Sequence, residues 1–104
     1  MSSFEDRERA FEAKFAHDEE MNFKAVARRN KLLGLWAAEL LGQSADEAAI
    51  YAASVVKADF EEAGHEDVVR KVLADLEGKA DADAIRAKMD ELLAVAKAQL
   101  INEL

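Results

Sequence analysis

Few residues in this 104-residue chain are of a type and spacing that could do chemistry. The two histidines, His17 and His65, are far apart and fall in different segments. His17 is followed by Asp18, Glu19 and Glu20, which is not the two-histidine spacing of a zinc-binding helix, so it reads as a solvated turn residue. His65 follows Gly64 and reads as part of a turn or of a helix cap. Asp81, Asp83 and Asp90 look superficially like a calcium loop, but the central glycine is missing and Leu92 stands where the closing bidentate glutamate belongs. They read instead as a helix cap and a solvated face. There is no phosphate-cradling glycine-rich loop, no Ser-His-Asp set and no carboxylate pair that the pattern brings together. With no cysteine, thiolate metal sites and a cysteine nucleophile are excluded as well. The expectation is a non-enzyme, with no catalytic residue, no metal site and no required cofactor.

One constellation remains. Lys24, Arg28, Arg29 and Lys31 are the only local concentration of positive charge in an acidic protein. Helical spacing puts Lys24, Arg28 and Lys31 on one face with Arg29 beside them. Such a cluster is either a solvated face paired with neighbouring carboxylates or a seat for a phosphorylated ligand held by charge-assisted hydrogen bonds.

The elements that must carry these residues are helical. Alanine makes up much of the 51% hydrophobic share, proline and threonine are absent, and strand-type alternation is missing. The formal net charge of −8 disfavours nucleic acid and anionic membrane as partners. No apolar run is long enough for a bilayer, and the acidic start Met1-Ser2-Ser3-Phe4-Glu5-Asp6 is unlike a signal peptide. These features point to the cytoplasm.

Glycines and caps divide the chain into four segments. The first runs from about Ser3 through Leu41 to Gly42, with Gly34 as its weak interior position. Ser44-Ala45-Asp46-Glu47 is a capping box that opens a second helix, running to about Ala63. After Gly64 and His65, a short third helix from Glu66 to Leu76 carries Val68, Val69, Val72, Leu73 and Leu76 on its apolar side. Gly78 ends it. Asp81 or Asp83 then caps a last helix in which Ile85, Met89, Leu92, Leu93, Ala96 and Leu100 share a stripe. Short connections favour antiparallel neighbours, so Leu32 to Leu41 and the three later helices are expected to form a four-helix bundle. Ala48, Ala49, Ala52 and Ala53 would allow a close helix approach. Trp36, on one stripe with Leu32, Leu33 and Leu40, is expected to anchor or rim the core.

The first twenty residues differ from the rest. Met1 to Glu20 carries seven acidic and three basic residues, whereas Met21 to Leu41 carries four basic residues against Glu39 alone. Phe4, Phe11 and Phe15 fall on one face if the segment is helical. Three large apolar residues are few for firm docking, and an isolated helix of this length is marginal in water. The segment suits folding onto a partner groove. Equally, the three phenylalanines could cover part of the bundle. The organisation expected is therefore a mobile arm over residues 1–20 and a helical bundle over 21–104, monomeric when free.

Several strings resemble one family. Asp6-Arg7-Glu8, Glu12-Ala13-Lys14-Phe15-Ala16-His17-Asp18, Asn22-Phe23-Lys24-Ala25 and Ala27-Arg28-Arg29-Asn30-Lys31-Leu32-Leu33-Gly34 are similar to the zeta subunit, the intrinsic inhibitor of the alpha-proteobacterial F-type ATP synthase. Trp36-Ala37-Ala38, Asp59-Phe60-Glu61, Glu66-Asp67-Val68 and Arg86-Ala87-Lys88-Met89 extend the likeness along nearly the whole chain. The resemblance implies an all-α four-helix bundle with a flexible N-terminal inhibitory arm, bound to the catalytic head of the synthase and thereby peripheral to the inner membrane. The arm would enter a catalytic interface, block ATP hydrolysis and leave synthesis largely free. Phe4, Arg7, Arg9, Phe11, Lys14 and Phe15 are the contact residues expected from the stripe and its flanking charges. The family also implies ADP or ATP as a regulatory ligand on the bundle, for which charge selects Lys24, Arg28, Arg29 and Lys31. The alternative is a nucleotide-sensing helical module or adaptor whose arm is not inhibitory.

Overall fold

The structure, a computed structural model, describes residues 18–61 and 65–103. These form four helices: α1 (Glu19–Leu40), α2 (Ala45–Glu61), α3 (Glu66–Leu76) and α4 (Ala82–Asn102). The all-α four-helix class expected from the sequence is the one observed. The boundaries follow from local chemistry. Asp18 stands in extended backbone before α1, and its carboxylate accepts the Met21 amide hydrogen bond at 3.1 Å. Glu19 and Glu20 add negative charge at the positive end of the helix dipole. Thus α1 begins two residues inside the expected arm, and it runs without interruption through Gly34 rather than starting its bundle portion at Leu32.

The end of α1 is a Schellman turn. The Gly42 amide donates to the Glu39 carbonyl at 3.1 Å, the Gln43 amide donates to the Ala38 carbonyl at 3.0 Å, and Gly42 takes φ +70°. The capping box forms as expected: Ser44 Oγ accepts from the Glu47 amide at 3.2 Å while Glu47 Oε1 accepts from the Ser44 amide at 2.9 Å. Of the two candidate caps for α4, Asp81 takes the role, accepting the Ala84 amide at 2.7 Å.

Helix α1 is central and touches all three others. Its N-terminal end lies beside the C-terminal end of α4, where Met21, Ala25 and Leu100 form a small cluster with Leu93 and Ile101 against it. Its C-terminal half meets the main core of Leu33, Ala37, Val55, Val68, Val69, Val72, Leu76, Ile85 and Met89. The two helices are therefore antiparallel. Val68, Val69, Val72 and Leu76 of the expected α3 stripe are buried, and Leu73 lies at its exposed margin. Of the α4 stripe, Ile85, Met89, Ala96 and Leu100 are buried and Leu92 and Leu93 half-buried. Trp36 is half-buried against the main core, with the Lys88 ammonium 5.9 Å from the ring centroid.

The α1/α2 contact is as close as the alanine pattern suggested. Ala52 is buried against Gly34, where an added Cβ would sit 2.6 Å from the Ala52 Cα. Ala49 and Ala53, by contrast, are exposed beside this seam and line a shallow apolar groove with Leu35 and Val56.

Candidate functional site

The expected arm contacts Phe4, Arg7, Arg9, Phe11, Lys14 and Phe15, and also His17, lie outside the described residues. What the structure arranges is the basic cluster. Asp18 launches α1 so that residues three and four apart stack along one face, and this brings Lys24, Arg28 and Lys31 to a single open cavity of about 600 Å³ between α1, α2 and the end of α4. The apolar floor comes from Met21, Ala27, Val56 and Leu100, and Phe23 stands beside it, 56% exposed.

The three cations differ in what they touch. Lys24 pairs with Glu20 one turn earlier at 3.3 Å, an exposed contact that contributes little. Arg28 grips Glu103 with both terminal nitrogens, Nη2 donating to Oε1 at 2.9 Å, and Nη1 also reaches Gln99 Oε1 at 3.5 Å. This fork ties the middle of α1 to the C-terminal end of α4. Hydrogen bonding to Glu103 raises the Arg28 pKa, and the same contact holds Glu103 below the usual carboxylate range. Lys31 shares both this cavity and the apolar α1/α2 groove.

Arg29 does not join them. One residue further around the helix, it turns inward and is only 3% exposed. Its Nε and Nη2 donate to Asn30 Oδ1 at 3.1 and 2.9 Å, and Nη2 lies 3.1 Å from His65 Nδ1. The guanidinium has no lone pair to offer, so in this contact His65 Nδ1 is the acceptor. Burial lowers the Arg29 pKa, and the more distant charges of Asp59 and Asp90 partly offset this. Asn30 is itself buried, with Nδ2 unsatisfied. His65 occupies the N-cap position of α3 yet makes no side-chain cap hydrogen bond, so its ring serves Arg29 instead of the helix.

Sequence reasoning missed the Arg28–Glu103 and Arg29–His65 contacts, which span 75 and 36 residues. No local pattern announces either. The Asp18 cap did have a signal, since an Asp followed by two glutamates and a methionine is a helix start.

Fold and surface thus define a small all-α protein with an open basic cavity on one face. The family model for the ATPase inhibitor subunit zeta matches residues 1–99, and the chain belongs to that family. It is accordingly a regulatory protein, an inhibitor associated with the ATP synthase, and not an enzyme. A solved solution NMR structure is similar to it, with 70% sequence identity and a TM-score of 0.75 over 81% of this chain and 99% of the other. No match was found among curated proteins. Among the described residues, no helix is long and apolar enough to cross a membrane.

Proposed function

We propose that inhibition is carried by residues 1–20, which insert at a catalytic interface of the F-type ATP synthase head and block hydrolysis, while residues 21–104 form the helical domain that holds them there. The supporting observation is the contrast within the chain. A buried, capped bundle follows a segment with a charge balance of −4 whose aromatic residues are three phenylalanines at helical spacing. Phe4, Phe11 and Phe15 supply the contact stripe, and Arg7, Arg9 and Lys14 flank it with charge. The protein works in the cytoplasm, as a monomer when free, and reaches the inner membrane only through the synthase.

The test is an ATPase assay on the purified catalytic head with full-length and shortened protein. Because Asp18 caps α1, the deletion should stop at residue 17 so that the helix start survives. Loss of inhibition with an intact bundle is expected. Full inhibition by the shortened form would overturn the reading.

A second function on the same domain is favoured by the open cationic cavity. Lys24, Arg28 and Lys31 around an apolar floor, with the exposed Phe23 ring beside them, suit ADP or ATP: charge for the phosphates and an apolar surface for the base. Arg29 faces elsewhere and could join only through a rearrangement of α1 and His65. Titrating ADP while following amide shifts checks this, and the absence of any change at Lys24, Arg28 and Lys31 would remove the site.

A further inference from the structure

The buried side of α1 holds a second cavity, lined by two arginines and two carboxylates and separate from the one just described. About 230 Å³ in volume, it is lined by Arg29 of α1, by His65, Glu66 and Val69 at the start of α3, and by Arg86, Met89 and Asp90 of α4. Arg29 is its unusual member. A buried arginine normally faces a carboxylate, because taking a full charge out of water is costly unless it is paired. Among the described residues, no carboxylate lies within ion-pair distance of Arg29, and its three hydrogen bonds go to Asn30 Oδ1 and His65 Nδ1. All three use Nε or Nη2. Nη1 keeps two N–H donors without a partner among the described residues, and it is not among the buried atoms sealed from solvent.

The free Arg29 donors suit an anion, and the start of α3 favours one as well. The 11-residue α3 starts at this cavity, and His65 leaves its first-turn amides without a side-chain cap. The opposing carboxylates are accounted for in part. Glu66 is held by Arg86, with Nη2 to Oε1 at 2.6 Å and Nε to Oε2 at 3.2 Å, and Arg86 also reaches Asp83 at 3.4 Å. Asp67 is engaged by Arg70. Asp90 on the cavity wall and Asp59, whose charge also acts on Arg29, compete with an incoming anion, which makes the site weak.

We propose that this cavity is a binding site for a small inorganic oxyanion of the phosphate type, seated on the free Arg29 Nη1 with Arg86 and the start of α3 completing its shell. The volume admits one such group together with bridging water. Occupancy would give Arg29 Nη1 a direct acceptor and would lock α1, α3 and α4 together at one point.

The experiment is an amide and arginine side-chain NMR titration of the full chain with inorganic phosphate, run against sodium chloride at matched ionic strength. Expected are saturable changes in the millimolar range confined to Arg29, His65, the first turn of α3 and Arg86, together with a rise in melting temperature that chloride does not reproduce. Arg29→Met should abolish both effects. Should that variant fail to fold, Arg86→Gln, at a position half exposed, tests the same shell and should weaken binding several-fold. No saturable change, changes centred on Lys24 and Arg28, or undiminished binding in Arg29→Met or Arg86→Gln would overturn the proposal.

Discussion

Gly34 and Ala52 bring α1 and α2 together backbone to backbone: a methyl group placed on Gly34 would lie 2.6 Å from the Ala52 Cα and 3.1 Å from its Cβ. Contact that close cannot be relieved by rotating a side chain, since the obstructing atom is main chain. Gly34→Ala therefore sets two effects against each other. Helix propensity favours alanine by about 1 kcal/mol, and overpacking costs about 1–3 kcal/mol. Because the helices must separate along their whole seam, the second wins. Thermal unfolding should show a melting temperature lowered by several degrees, whereas the same exchange at an open helical site would raise it.

The core has a sharply graded tolerance. Ile85 is fully buried in the main cluster, and Ile50 is 73% exposed on α2. Ile85→Ala should cost about 2–5 kcal/mol in chemical denaturation, and Ile50→Ala should stay within about 0.5 kcal/mol of the parent. Comparable losses at both positions would show that the α2 face bearing Ile50 is covered in solution.

The Arg28–Glu103 fork predicts a pH dependence with a definite sign. Arg28 holds Glu103 below the ordinary carboxylate range, so in the unfolded chain Glu103 takes up its proton at a higher pH than in the folded one. The stabilisation is complete above the ordinary glutamate value of about 4.3 and is lost as pH falls through the lower folded value. Glu103→Gln should accordingly lower the melting temperature at neutral pH, with the difference fading in acid. A difference that persists unchanged below the folded value would mean that the pair acts through packing rather than charge.

Tyr51 offers a spectroscopic check, since it is the single tyrosine in the chain. Its hydroxyl donates to Asp75 Oδ2 at 2.8 Å, and burial, then the bond to Asp75 and the charge of that carboxylate, push its pKa upward. The folded chain keeps the proton more tightly than the unfolded one. This contribution is fully present below the unfolded tyrosine value of about 10 and is lost as pH rises. Tyrosinate absorbance should stay flat through that region while the bundle is folded and should rise only with alkaline unfolding, followed independently by the fluorescence of Trp36.

Replacing Ser44 with alanine removes one half of the reciprocal cap on α2 and leaves the Glu47 amide without its acceptor. The cost should be about 1 kcal/mol. Native-state hydrogen exchange should report it as faster exchange in the first turn of α2.

What could be taken from the sequence was what is decided over a few residues. The capping box at Ser44, the helix-ending glycines Gly42 and Gly78, a cap at Asp81 or Asp83 and the apolar stripes of α3 and α4 each depend on neighbours within one or two turns, and the structure shows them there, with Asp81 as the cap. The charge contrast between Met1–Glu20 and Met21–Leu41 was likewise visible in one dimension. The fate of the basic cluster was not. Arg28 and Arg29 are adjacent and chemically identical, about 100° apart on a helix, and nothing local says which of them a neighbouring helix will cover. Packing against α3 and α4 made that choice: it left Arg28 at an open cavity clasping Glu103 and drew Arg29 inward to Asn30 and His65. The same holds for Gly34, which in the sequence is a weak point in a helix and in the fold is the position where two backbones meet. Propensity, caps and periodicity are short-range quantities, whereas burial and charge pairing depend on which surfaces the bundle brings into contact.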